Sequence, residues 1–82
     1  MNDKTFSTDA FLLACYLLSE ACHLIDIDKT NPNRMIFIFE ETNERVKLTQ
    51  DFLAHQANIE PHRFYSAQRD LKQLIHQIKD TK

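Results

Sequence analysis

No glycine occurs among the 82 residues of this chain, so every turn and every helix stop must be built from residues that carry a Cβ. The omission constrains function as well as fold. Loops that cradle phosphates and turns that open dinucleotide sites use glycine to let the backbone approach the ligand. A phosphate-binding loop, a dinucleotide fingerprint and a G-x-S-x-G nucleophile elbow are therefore all absent from the sequence.

What remains has the composition of one globular domain spanning residues 1–82. Hydrophobic residues make up 43% and charged residues 27%, values of a chain that buries a core rather than of a disordered one. The net charge of −2 excludes a polyanion binder acting through its overall charge and leaves only a local patch for nucleic acid. The longest apolar stretch, residues 10–18, falls well short of the roughly 20 residues of a bilayer span. It also lacks a basic leader and a small-residue cleavage site. The expectation is a cytoplasmic protein with no membrane contact. Cys15 and Cys22 lie seven apart on or near one helix, about 10 Å along its axis. That is too far for a disulfide, so both read as small buried hydrophobes.

Periodicity divides the chain into α-β-β-α-α. Residues 1–5 and 80–82 read as frayed ends. Phe6, Ser7, Thr8 and Asp9 read as a helix entry, with Ser7 as the cap, Asp9 in the first turn and Phe6 with Phe11 as a hydrophobic staple. Leu12, Leu13, Cys15, Tyr16, Leu17 and Leu18 then cover more than half of a helix circumference, which predicts a central, buried first helix. Ile25 and Ile27 alternate with Asp26 and Asp28, the period of a strand. A turn over residues 29–34 leads to a second strand over residues 35–39. Together they predict a two-stranded antiparallel hairpin packed on three helices, an α+β fold. Thr42 or Asn43 caps the second helix, whose inner stripe is read as Val46, Thr49, Phe52 and Leu53. Pro61 opens the third, with Ile59 and Phe64 as its staple. Its stripe is Phe64, Ala67, Leu71, Leu74, Ile75 and Ile78.

Three groups of residues carry a resemblance. The first is F-S-T-D-x-x-L-x-A-x-Y-L over residues 6–17. The second is I-F-I-F-E over residues 36–40. The third comprises Asp51, Phe52, Ala57, Ile59, Pro61, Phe64 and Ala67, closing on R-D-L-K-x-L-I at residues 69–75. Together they resemble a family of short bacterial proteins of unknown function, often from uncultured candidate phyla. The resemblance implies the α-β-β-α-α order and no activity, cofactor or site residue. It also implies glycine where the first helix stops, and this chain has Ala21. A left-handed alanine there costs about 1 kcal/mol relative to glycine.

Few residues suit a reactive site. Cys22 and His23 are adjacent, but His55, His62 and His76 do not supply the paired spacing from which zinc ligands converge. No metal or other cofactor is expected. Cys15 falls within an apolar helix face, where a thiol is inert. Asp26, Asp28, Glu40 and Glu41 read as solvated strand ends, so no catalytic residue is assigned and the chain is not expected to be an enzyme.

Two surfaces stand out instead. Tyr65, Arg69, Lys72, His76 and Lys79, spaced 4, 3, 4 and 3, form a basic stripe on the third helix that could follow a phosphate backbone and stack a base. The second strand is apolar on both faces, and a bare hairpin leaves open edges. Two arrangements would satisfy it. In one, Ala57 to Ile59 add a third strand in a monomer. In the other, Met35, Phe37 and Phe39 face the helices while Ile36 and Ile38 meet a second copy or another protein. A self-associating protein-interaction module is the leading expectation, and a small nucleic-acid-binding accessory protein is the alternative.

Overall fold

A computed structural model of the chain describes residues 4–31 and 33–80, with the side chains of residues 77–80 excepted. It is a small α+β domain of three helices and one three-stranded antiparallel sheet. The order is β1 (Thr5–Thr8), α1 (Phe11–Ser19), β2 (Leu24–Asn31), β3 (Arg34–Glu40), α2 (Asn43–Leu53) and α3 (Pro61–Asp80). The sheet order is β1-β3-β2, so the apolar strand β3 occupies the centre, with a neighbour on each side.

The third strand is the main departure from the sequence reading. It is β1, and residues 57–59 form no strand. Phe6 pairs with Phe39, Ser7 with Ile38 and Thr8 with Phe37. Ser7 therefore lies in a strand and caps nothing. The position before α1 is Ala10, which makes no side-chain cap. Instead the Ala10 amide donates to Thr8 Oγ1 at 3.1 Å, and Asp9 accepts from Arg34 Nε at 2.7 Å. Thr5 belongs to this strand rather than to a frayed start, and Lys4 accepts the Glu41 amide. The remaining frayed-end expectations, residues 1–3 and 81–82, fall outside the described residues.

The hairpin is longer than its apolar runs. Asn31 pairs with Arg34, so only residues 32 and 33 connect β2 to β3, and the Asn33 amide is tied to Asn31 Oδ1 at 2.9 Å. The register slips between Leu24 and Asp26 and again between Asp28 and Asn31. The first slip carries Ile25 out of the core alternation and leaves it 48% exposed, whereas Ile27 is buried.

Both short helices end in the same way. The Ala21 amide donates to Leu18 O and the Cys22 amide to Leu17 O; the His55 amide donates to Phe52 O and the Gln56 amide to Asp51 O. These paired bonds are the Schellman closure, whose turning residue takes left-handed angles. With no glycine in the chain, Ala21 (φ 70°) and His55 (φ 62°) adopt them. Ala21 is thus the stop of α1 that the resemblance implies. Thr42 caps α2 by accepting the Arg45 amide, and Pro61 is the first residue of α3.

The core lies between α1 and one face of the sheet. Leu13, Ala14, Cys15, Tyr16 and Leu17 are buried on consecutive positions, the all-round burial expected of a central helix. Phe37, Phe39 and Ile27 meet them from the sheet and Leu71 from α3. The Phe11 ring contacts the Phe37 ring at 6.3 Å, and Tyr16 stacks on Phe52 at 5.6 Å. On α3, Phe64, Ala67, Leu71 and Ile75 follow the expected stripe, but Leu74 is 38% exposed and the Ile78 side chain is outside the described residues. Ile59 is exposed as well. The inner face of α2 is rotated from the expected one. Arg45, Leu48 and Phe52 turn inward, and Leu53 is 68% exposed.

Candidate interaction surfaces

Among the described residues the sheet is covered on one face only. Residues paired across an antiparallel ladder point to the same side. Phe6, Thr8, Phe37, Phe39, Leu24 and Ile27 therefore share the helix side, and Thr5, Ser7, Asp26, Asp28, Ile36, Ile38 and Glu40 share the other. Met35, Phe37 and Phe39 pack with the helical core, the orientation assigned from sequence. Ile36 and Ile38 lie half-buried in the middle of the second face, and the polar residues around them are exposed. The result is a small apolar centre in a polar, mostly acidic frame.

The third helix presents the basic stripe. Tyr65 is 63% exposed, and Arg69, Lys72 and His76 are exposed too. The Lys79 side chain lies outside the described residues. Tyr65, Gln68, Arg69 and Lys72 line a shallow depression of about 230 Å³. The ion pairs elsewhere set this surface apart. Arg34 pairs with Asp9, Arg45 with Glu41, Lys47 with Asp51 and Arg63 with Glu20. Arg69 and Lys72 form no ion pair among the described residues.

A larger groove of about 580 Å³ runs between α1 and α3, lined by Leu18, Ser19, His62, Arg63, Ser66 and Asp70 among others. Its cation is already engaged, since Arg63 Nη2 donates to Glu20 Oε2 at 3.0 Å. The nearby start of α3 is also occupied, because the Arg63 amide donates to Glu60 Oε1 at 2.8 Å. This bond holds the Glu60 carboxyl below the usual glutamate range.

The thiols are poor nucleophiles where they stand. Burial pushes Cys15 up to about 11, only partly opposed by Lys72. Burial also raises Cys22, reinforced by Glu44. Both are free. Among the described residues no group of three or more His, Cys, Asp and Glu side chains converges as a metal site would require, and no helix is long and apolar enough to cross a membrane.

The sequence reading missed one polar cluster. Arg45 is 7% exposed, with its guanidinium carbon 3.7 Å from the centre of the Phe6 ring. Its Nε and Nη2 donate to the two Glu41 oxygens at 2.7 and 2.8 Å, and Nη1 donates to Thr49 Oγ1 at 2.9 Å. The planar fork satisfies a carboxylate bidentately while its face covers an aromatic, a combination open to arginine and not to lysine. Arg45 donation holds the Glu41 carboxyl below its usual range. The cluster ties β1 to α2. Its only sequence signal is the i, i+4, i+8 spacing of Glu41, Arg45 and Thr49.

A family model described as a domain of unknown function matches residues 3–77. No curated protein and no solved structure gives a significant match.

Proposed function

The chain belongs to that family, the domain of unknown function DUF5659, and from its surfaces we propose that it is a non-catalytic protein-interaction module of the cytoplasm that associates with itself. The observation that carries this reading is the half-covered sheet, with Ile36 and Ile38 at the centre of its open face. An apolar centre inside a polar rim is the anatomy of a protein contact, and a two-fold copy is the commonest partner for such a surface. The raised thiols support the absence of nucleophilic chemistry. Light scattering across the micromolar range tests the reading. The wild type is expected to self-associate, and Ile38→Lys to dissociate it with circular dichroism unchanged. A monomer at every concentration would refute it.

A second reading has its own observation. Arg69 and Lys72, without an ion pair among the described residues and beside the exposed Tyr65, have the composition of a phosphate-and-base contact. If the surface binds nucleic acid, the Arg69→Ala, Lys72→Ala double variant loses a salt-sensitive interaction and keeps its fold. Absence of binding to single- and double-stranded probes at low salt would remove this alternative.

A further inference from the structure

The two outer edges of the sheet differ, and the hydrogen-bond directions show how. The Glu40 amide donates to His23 O and the Glu41 amide to Lys4 O. Backbone groups alternate sides along a strand, so even-numbered amides of β3 point to β2 and odd-numbered ones to β1. Phe6 and Thr8, opposite Phe39 and Phe37, therefore direct their backbone groups at β3. Thr5 and Ser7 direct theirs away from the sheet.

On β2 the same logic turns the Ile27 amide outward, since its partner Phe37 directs its own amide to β1. That outward donor is already taken by Asp26 Oδ1 at 2.8 Å. Further along, the Thr30 amide and hydroxyl both donate to Asp28 Oδ1, at 2.8 and 2.6 Å. Two register slips bend the same strand. Self-satisfied amides, bulges and charges are the means by which native sheets keep an edge unpaired. Among the described residues the β1 edge has none of them: its register against β3 is unbroken and residues 5–8 carry no charge.

We propose that β1 is the edge through which two copies join, antiparallel about a two-fold axis, into one six-stranded sheet. This rests on the self-association reading above and adds to its Ile36 and Ile38 face a second contact, at the sheet edge. The strand is complementary to itself. The register contained within residues 4–8 places Thr5 against the second copy's Ser7, exchanging backbone bonds, and sets the two Phe6 rings opposite each other. A neutral strand places no like charges face to face. The joined sheet leaves the Ile36 and Ile38 faces of both copies side by side.

Ser7→Pro tests the edge. Proline removes one amide hydrogen, and at an edge whose N–H faces outward a sheet tolerates it. Phe6, the residue before it, is already extended, as proline requires. Dimer dissociation, read by sedimentation equilibrium, is expected to weaken by about tenfold or more with circular dichroism unchanged. Hydrogen exchange on the wild type gives a second readout that needs no variant. On passing from dilute to concentrated protein, the Thr5 and Ser7 amides are expected to slow by about tenfold or more, while Ile27 stays constant. A dimer that Ser7→Pro leaves intact, or whose Thr5 and Ser7 exchange does not change, overturns the edge and leaves self-association standing. A wild type that is monomeric throughout overturns both.

Discussion

Ala21 and His55 hold left-handed angles in a chain without glycine, and each carries a Cβ against a carbonyl oxygen that glycine would not crowd. Replacing either with glycine relieves that contact, though the unfolded chain gains freedom and offsets part of it. Ala21→Gly is expected to stabilise the domain by about 0.5–1 kcal/mol, a rise of roughly 2–8 °C in melting temperature for a domain of this size. An unchanged or lower melting temperature by calorimetry would show that the Schellman closure does not strain Ala21. The Ala21 stop was legible because the family pattern implies glycine there. The end of α2 near His55 was legible too, but the left-handed angles of His55 were not, since nothing in the local sequence marks a histidine for them. Arg45 was illegible for a related reason: arginine is seldom fully buried, and what buries it is Phe6, which lies far from it in sequence.

Among the elements, α1 and α3 could be read from their own residues because each carries its signal locally. A run that wraps the helix predicted the all-round burial of α1, and a stripe at i, i+3 and i+7 predicted Phe64, Ala67 and Leu71 facing inward. Leu71, fully buried where α3 meets the core, is the test of that face. Leu71→Ala is expected to cost about 2–5 kcal/mol in a denaturant titration, and a loss below about 1 kcal/mol would mean that the site collapses around the cavity. Strand β1 carries no such signal. Four residues are too few for a period, and a Ser-Thr-Asp sequence before an apolar run satisfies the rules for a helix cap as well as those for a strand. Its partner lies about 30 residues away, so the deciding information is tertiary. The rotation of α2 follows from the same omission, because Arg45 turns inward to meet Phe6 on the unanticipated strand.

At the scale of the whole molecule, stability depends on pH through the carboxylates that the fold holds below their usual range. Thr30 lowers Asp28, Arg45 lowers Glu41 and the Arg63 amide lowers Glu60. A carboxylate depressed on folding contributes stability above its unfolded value and loses it as pH falls through the folded one. The urea midpoint is therefore expected to be flat near neutrality and to fall on acidification below the ordinary carboxylate range. Arg45→Met should make that acid slope shallower, and an identical slope in the variant would refute a role for the Glu41 pair. The two-layer arrangement was legible in outline, from one hairpin and three helices. The half-bare sheet with a third strand was not, because it depends on pairing Thr5–Thr8 with Arg34–Glu40. That pairing also sets an order of assembly. During synthesis the first strand leaves the ribosome well before its partner exists, while β2 and β3 are close neighbours in sequence and can pair as soon as they emerge. The strand made first therefore waits for its partner, and until it docks, the nascent chain exposes the backbone of β3 along residues 37–40.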